Sequence, residues 1–220
     1  MKRNLKFWTR FTWETAGVDL AIAGLISLFA VVGAEGLNLK LFVTVAPYFL
    51  CIATIFGMMM INTGAHSIYV PLLLSMGETR RNVFLGFRYY HALLITVATA
   101  ACAIIWLAVP GEVSSVGLRS LPTLICILMI TASYGSIIGT IFVKWKWAGN
   151  VMIILLCGGL GGLMGFLGVA ASMETLLSTA LSIASHLKEL PHWMILTAFV
   201  SVGLDLLFQW LILRRQEVRL

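Results

Sequence analysis

Six separate stretches of this 220-residue chain are each long enough and apolar enough to cross a lipid bilayer. A helix needs about 20 largely apolar residues to cross roughly 30 Å of hydrocarbon. Because hydrocarbon offers no partner for backbone N–H and C=O groups, each stretch is predicted to be an α-helix. The predicted spans are Gly17–Ala34, Phe42–Leu74, Tyr89–Val109, Leu121–Val143, Ala148–Ser172 and His192–Leu213.

The composition excludes a soluble fold. Hydrophobic residues make up 60% of the chain and charged residues only 11%, whereas a soluble domain carries roughly 25% charged residues. No linker or internal repeat divides the sequence. We therefore predict an all-α integral membrane protein with a single transmembrane domain over residues 1–220.

Lysine and arginine are distributed unequally between the two sides that six spans define. One side holds 12 of them and the other holds 3, and short cytoplasmic loops carry the excess of positive charge. Both termini are therefore predicted to be cytoplasmic, in a bacterial plasma membrane. The same rule explains the net charge of +6, so no nucleic-acid partner is expected. The predicted cytoplasmic cations are Lys2, Arg3, Lys6, Arg10, Arg80, Arg81, Arg88, Lys144, Lys146, Arg214, Arg215 and Arg219; the three on the other side are Lys40, Arg119 and Lys188.

The first fourteen residues interleave aromatic and basic side chains. On a helix, Trp8 and Phe11 share one face, while Lys6 and Arg10 lie on another. This pattern is typical of a helix that lies in the membrane interface and contacts lipid. We predict an interfacial helix over residues 1–14; a disordered basic tail is the alternative.

Ionisable residues within spans are costly, and they mark sites that face protein or water. Asp19 is predicted to lie in the first turn of its helix, where the helix dipole favours a carboxylate. Asp205 lies deeper and, together with His66, is the candidate for an intramembrane polar site. A structural pairing of Asp205 with a neighbouring helix is at least as plausible an interpretation. No catalytic motif and no metal-ligand spacing is present, so neither a catalytic residue nor a metal is predicted.

Two further features concern packing. The four cysteines, Cys51, Cys102, Cys126 and Cys157, all fall in apolar runs, and we interpret them as small buried residues rather than a disulfide framework. The fifth span is rich in glycine at four-residue spacing, which favours close helix packing. After it, residues 173–191 form the longest connection on the outer side and are predicted to be amphipathic, as one helix or a re-entrant pair.

A short polar insert separates the second and third spans. It runs from Ser75 to Gly86 and contains Met76-Gly77-Glu78-Thr79-Arg80-Arg81 followed by Val83 and Phe84. With the preceding Pro71, this stretch resembles the small-x-Gly-x-(Ser/Thr)-Arg-(Arg/Lys)-x-x-Phe segment of small bacterial ABC permease-like subunits. The six-span layout also resembles the ABC type-2 permeases. In sequence, the resemblance covers only about the sixteen residues from Pro71 to Gly86.

The resemblance implies a short cytoplasmic coupling helix within residues 75–87 that docks on a separate ABC ATPase. The residues carried over to that contact are Met76, Gly77, Glu78, Thr79, Arg80, Arg81, Val83 and Phe84, with Phe87 as a further apolar anchor. This chain has no nucleotide-binding motif, so it would hold no cofactor, and ATP and Mg would be bound by the partner. One six-span subunit supplies half a pathway, which implies a second permease subunit, identical or related.

The predicted function is therefore the permease subunit of an exporter for a peptide, lipid, drug or glycan. Two alternatives stay open. A membrane enzyme of lipid or peptide processing needs polar residues clustered at one membrane depth, and the sequence displays no such cluster. A secondary transporter predicts inverted repeats with matched broken helices, and the glycine-rich fifth span has no evident counterpart.

Overall fold

A computed structural model describes residues 2–35, 39–108, 112–145, 147, 151, 154 and 192–215. All the regular elements in these ranges are α-helices. Five of the six helices, all except α3, are long and apolar enough to cross a membrane. The described part of the chain is thus all-helical, as predicted, and its five long apolar helices indicate a multi-pass membrane protein. The helices are α1 (Lys2–Glu35), α2 (Leu39–Ser67), α3 (Tyr69–Ser75), α4 (Arg80–Ala108), α5 (Glu112–Lys144) and α6 (His192–Arg215).

The five candidate spans correspond to the first, second, third, fourth and sixth spans predicted from the sequence. The predicted fifth span, 148–172, lies outside the described residues except at Val151 and Ile154. The outer connection 173–191 lies wholly outside them. The count of six spans therefore stays a prediction.

The burial pattern of the helices differs from that in a soluble bundle, although an apolar core is present as well. Large apolar side chains point outward, as Phe29 does with 75% of its surface exposed, and so do Ile104 and Phe199. Small polar side chains such as Ser27 and Thr54 are buried. Lipid solvates apolar groups as well as a protein core does, so helix contacts in membranes favour small and polar residues.

Among the described helices, α2 and α5 form the most extensive contact; α1 and α4 also pack on α2, and α4 and α6 pack on α5. Glycines on α5 allow this close approach. A Cβ atom at Gly139 would lie 2.7 Å from the carbonyl oxygen of Asn62, and one at Gly135 would lie 3.2 Å from the Cα of Met59. The last turns of α2 therefore lie directly against α5, which brings their polar side chains into the centre of the bundle.

Helix α1 is continuous over its 34 residues, whereas the sequence predicted a separate interfacial helix over residues 1–14. At 1.5 Å per residue it is about 51 Å long, some 20 Å more than the hydrocarbon is thick. Its first turns belong to the bundle because the side chain of Trp8 is completely buried against other helices. Lys6 and Arg10, on the other face, are exposed.

Candidate functional site

The polar insert forms a tight turn between α3 and α4, which we call the α3–α4 turn (Met76–Thr79). Gly77 adopts a positive φ of 84°, a conformation that costs residues with a side chain roughly 1–2 kcal/mol. The Gly77 N–H donates to the carbonyl of Leu74 and the Glu78 N–H to that of Leu73, both at 3.1 Å. This pair of hydrogen bonds around a left-handed glycine is the Schellman helix ending.

The next helix begins immediately after this ending. The side chain of Thr79 accepts a hydrogen bond from the Asn82 N–H at 3.3 Å, which is the usual N-cap contact. The Asn82 side chain in turn donates to a carboxylate oxygen of Glu78 at 3.2 Å. The turn is thus fixed at both ends by its own hydrogen bonds.

The position of the short helix differs from the sequence prediction. The coupling helix was expected within residues 75–87, but the short helix is α3, Tyr69–Ser75, and α4 starts at Arg80. Pro71 explains the early break, because proline has no N–H to donate to the carbonyl four residues before it. Helix α2 therefore ends at Ser67, the residue that would have received that hydrogen bond.

The α3–α4 turn and its flanks offer a mixed polar and apolar surface. Met76 is 50% exposed and Leu72 is 46% exposed, and Arg80 and Arg81 are exposed beside them. Gly77 and Thr79 are exposed as well, while Glu78 and Phe84 are half-buried. Two of the expected apolar anchors are not on this surface: Val83 and Phe87 are each only 1% exposed and belong to the core.

Aromatic side chains fix the start of α1 to the base of the α3–α4 turn. The Phe11 ring lies 4.8 Å from the ring of Tyr69, and the Trp8 ring lies 5.5 Å from that of Phe87 and 5.4 Å from that of Tyr90. Such offset and tilted pairs add to the free energy of burying the rings. Of the four residues predicted to contact lipid, Trp8 instead contacts protein, and Phe11 is half-buried.

A cluster of seven buried or half-buried polar side chains lies behind the turn and joins four helices. At its centre Asp205 of α6 forms an ion pair with Arg88 of α4 and accepts a hydrogen bond from the Ser136 hydroxyl of α5 at 2.6 Å. Asp205 is completely buried, so its charge requires these partners. We call this group the polar cluster: Asn62, His66, Arg88, His91, Ser136, Asp205 and Gln209.

The Ser136 hydroxyl contacts three other members of the polar cluster. Its one proton is donated to Asp205, so Gln209 donates its amide N–H to the Ser136 oxygen. The imidazole Nε2 of His66 lies 3.3 Å from both the Ser136 oxygen and the Gln209 amide nitrogen. Helices α2, α5 and α6 are therefore connected through one hydroxyl group.

The second part of the polar cluster joins α2, α4 and α5. The Asn62 amide donates to the carbonyl of Ala132 at 3.1 Å, which leaves its oxygen to accept from His91. That contact between His91 Nε2 and Asn62 Oδ1 is 2.8 Å, so His91 carries its proton on Nε2. The Phe87 ring packs on both histidines, with its centroid 4.4 Å from that of His91 and 5.2 Å from that of His66.

The structure brings together the two residues that the sequence named as a possible intramembrane site, Asp205 and His66, through Ser136. Sequence reasoning missed the other members. Arg88 was counted with the loop cations, although it lies eight residues inside α4. The pairing was not visible because 117 residues separate Arg88 from Asp205. A local signal existed only on α2, where Asn62 and His66 lie one helical turn apart.

Asp19 has a different position from the one expected. Since α1 begins at Lys2, Asp19 lies about five turns into the helix, not in its first turn. It is buried, and a Cβ atom at Gly57 of α2 would lie 2.7 Å from its Oδ1. Its Oδ2 has no hydrogen-bond partner within the described part of the chain.

The arrangement of the polar cluster is that of a link between helices rather than of an open binding site. A series of direct contacts runs from Arg88 to Asp205, from Asp205 to Ser136 and from Ser136 to Gln209. Across the described residues, no group of three or more His, Cys, Asp or Glu side chains is placed to hold a metal ion. Comparison of the chain with known protein families, curated proteins and solved structures finds no match.

Proposed function

We propose that this protein is the membrane subunit of an ATP-driven transporter of the ABC type-2 permease kind, acting as an exporter. A separate cytoplasmic ATPase, which binds ATP and Mg, would dock on the α3–α4 turn, and a second permease subunit would complete the pathway. The orientation follows from the bias of basic residues, which predicts that this turn and both termini are cytoplasmic. The cargo would be a peptide, lipid, drug or glycan.

The observation that carries the proposal is the build of the α3–α4 turn. A Schellman ending and an N-cap follow one another within four residues, so hydrogen bonds tie the turn to both α3 and α4. A force on the turn would therefore act on both helices. On its outer surface, Leu72 and Met76 are apolar and exposed beside the exposed Arg80 and Arg81. Apolar anchors next to arginine are typical of protein interfaces.

The polar cluster supports the same proposal, because four of its seven members lie on α4, which leaves the turn, or on α2, which leads into α3. Arg88 is eight residues after Arg80 on α4, a distance of about 12 Å at 1.5 Å per residue. His66 lies one residue before the end of α2, which leads into α3. A displacement of the turn would therefore act first on the contacts that attach α2 and α4 to α5 and α6.

A membrane enzyme is the second candidate, and the polar cluster is the observation in its favour, since it places polar side chains at one depth. The hydrogen bonds within the polar cluster argue against a catalytic role. The Ser136 proton is directed at Asp205 rather than at His66, so histidine does not activate the hydroxyl as a base would in nucleophilic catalysis. Ser136 and Asp205 are also completely buried.

The test is a charge reversal at the turn, Arg80→Glu with Arg81→Glu. The chain is purified from its native membrane in a mild detergent, and the ATPase activity of the preparation is measured in lipid nanodiscs. We expect the double variant to lose most of the ATPase that accompanies the wild type, or its stimulation, because glutamates in place of the exposed arginines would repel acidic side chains on the partner. Phe84→Asp should have the same effect.

The matched control is Arg119→Glu, an exposed arginine near the start of α5 and 17 residues away from Ser136 along that helix. It should leave the associated ATPase activity unchanged. The proposal is overturned if the charge-reversed protein is folded and keeps full ATPase association and stimulation.

A further inference from the structure

Two cysteine thiols face each other between α2 and α4. The sulfur of Cys51 lies 3.6 Å from the sulfur of Cys102, and both cysteines are free. The distance is that of two thiols in contact, with one S–H directed at the other sulfur. This pair was not predictable from the sequence, because 51 residues separate its members and no short spacing motif marks them.

The surroundings hold the two thiols in place. Cys102 is buried, with 1% of its surface exposed, among Ala98, Trp106 and Leu50 in the main apolar core. Its sulfur also lies 3.9 Å from the backbone oxygen of Pro47, a second acceptor on α2. Cys51 is half-buried and is therefore the more accessible of the two.

The thiol pair lies toward the end of the bundle opposite the α3–α4 turn. Cys102 is six residues before the end of α4, and Cys51 is twelve residues after the start of α2. The bias of basic residues predicts that this end faces the outside of the cell. Disulfides persist on that side of the membrane, and not in the reducing cytoplasm.

We propose that Cys51 and Cys102 are a redox-active pair that closes to a disulfide between α2 and α4 when a membrane-permeant disulfide oxidant reaches it. Bond formation brings the sulfurs from 3.6 Å to about 2.05 Å, a change of about 1.5 Å that side-chain rotation and a small helix shift supply. Helix α2 leads into α3, and α4 leaves the α3–α4 turn. The disulfide would therefore restrict how far α2 and α4 can separate.

The reaction proceeds in two exchange steps. The Cys51 thiolate attacks one sulfur of the oxidant's disulfide, forming a mixed disulfide and releasing the first thiol of the oxidant. The Cys102 sulfur then attacks the Cys51 sulfur and releases the second thiol. The two cysteines lose two electrons and two protons, and the oxidant disulfide is reduced to two thiols. Cys51 attacks first because it is the more accessible of the two, half-buried where Cys102 is buried.

The experiment uses the full chain with Cys126→Ser and Cys157→Ser, so that only the pair remains. The protein in lipid nanodiscs is treated with dithiodipyridine, a lipid-soluble aromatic disulfide, and its intact mass and tryptic peptides are measured. The proposal predicts a loss of two hydrogen atoms per chain, no retained thiopyridine, and a linked peptide pair containing Cys51 and Cys102. A reductant should reverse the change.

The added change Cys102→Ser provides the control, because Cys51 then has no resolving thiol and should retain one thiopyridine. Retention of thiopyridine on both cysteines of the intact pair would overturn the proposal, since it would show that the thiols react independently. Failure of the pair to react at all, whatever the control does, would overturn it as well. Serine at Cys102 is close to isosteric, so the control should fold like the parent.

Discussion

At the scale of single residues, the ion pair between Arg88 and Asp205 is costly to break. Asp205 is fully buried, and the guanidinium of Arg88 also lies over the Phe84 ring, with its central carbon 5.4 Å from the ring centroid. A buried pair gains little net stability over a well-packed apolar pair, but removal of one partner leaves an uncompensated charge. The pair therefore constrains which helices can meet more than it adds stability.

This asymmetry leads to a prediction for Asp205→Ala. The variant should lose about 3–5 kcal/mol of unfolding free energy, because Arg88 is left buried without its carboxylate. The double variant Arg88→Met with Asp205→Leu should recover most of that loss. The measurement is unfolding in mixed micelles by titration with a denaturing detergent. Single and double variants that are equally destabilised would contradict the role given to the ion pair.

At the scale of helices, the close approach of α1 to α4 determines where the N-terminal turns lie. A Cβ atom at Gly86 would lie 2.6 Å from the Trp8 indole and 2.7 Å from the Asn4 side-chain oxygen. The Asn4 amide also donates to the backbone oxygen of Asn82. Only glycine leaves room for the indole at this point of α4.

We therefore predict that Gly86→Ala loosens α1 from α4. Overpacking of this kind costs about 1–3 kcal/mol, and the loss should appear as faster hydrogen exchange in residues 4–16. Gly17→Ala is the matched control, since an added Cβ there meets nothing within 4 Å. It should be neutral or stabilise α1 slightly, because alanine favours the helix. Equal exchange in both variants would show that α1 does not depend on this contact.

The same helices show what sequence patterns can and cannot predict. The spans were predictable because each is a run of about 20 consecutive apolar residues, which the hydropathy of the sequence reveals directly. The burial of Trp8 was not, since the pattern of aromatic and basic residues is the same for a helix on lipid and for one packed on Gly86. The polar cluster was hidden for a similar reason: its members come from four helices and meet only after packing.

At the scale of the whole molecule, the two proposals concern opposite ends of the bundle, and α2 and α4 run between these ends. One end carries the α3–α4 turn with the polar cluster behind it, and toward the other lies the pair Cys51 and Cys102. The charge bias that predicts a cytoplasmic turn also predicts an external thiol pair, so the two proposals share one orientation. Their tests remain separate, because the disulfide forms whether or not an ATPase is bound.

The central claim is that a nucleotide-hydrolysing partner docks on the α3–α4 turn, and photo-crosslinking in living cells tests it most directly. A photoreactive phenylalanine analogue replaces Met76 at the turn, which is 50% exposed, or Leu107 at the far end of α4, which is 67% exposed. We predict that the probe at position 76 cross-links an ATPase with nucleotide-binding motifs, identified by mass spectrometry, and that the probe at position 107 does not. Cross-links from position 76 to lipid alone, or equal capture of the ATPase from both positions, would contradict the claim.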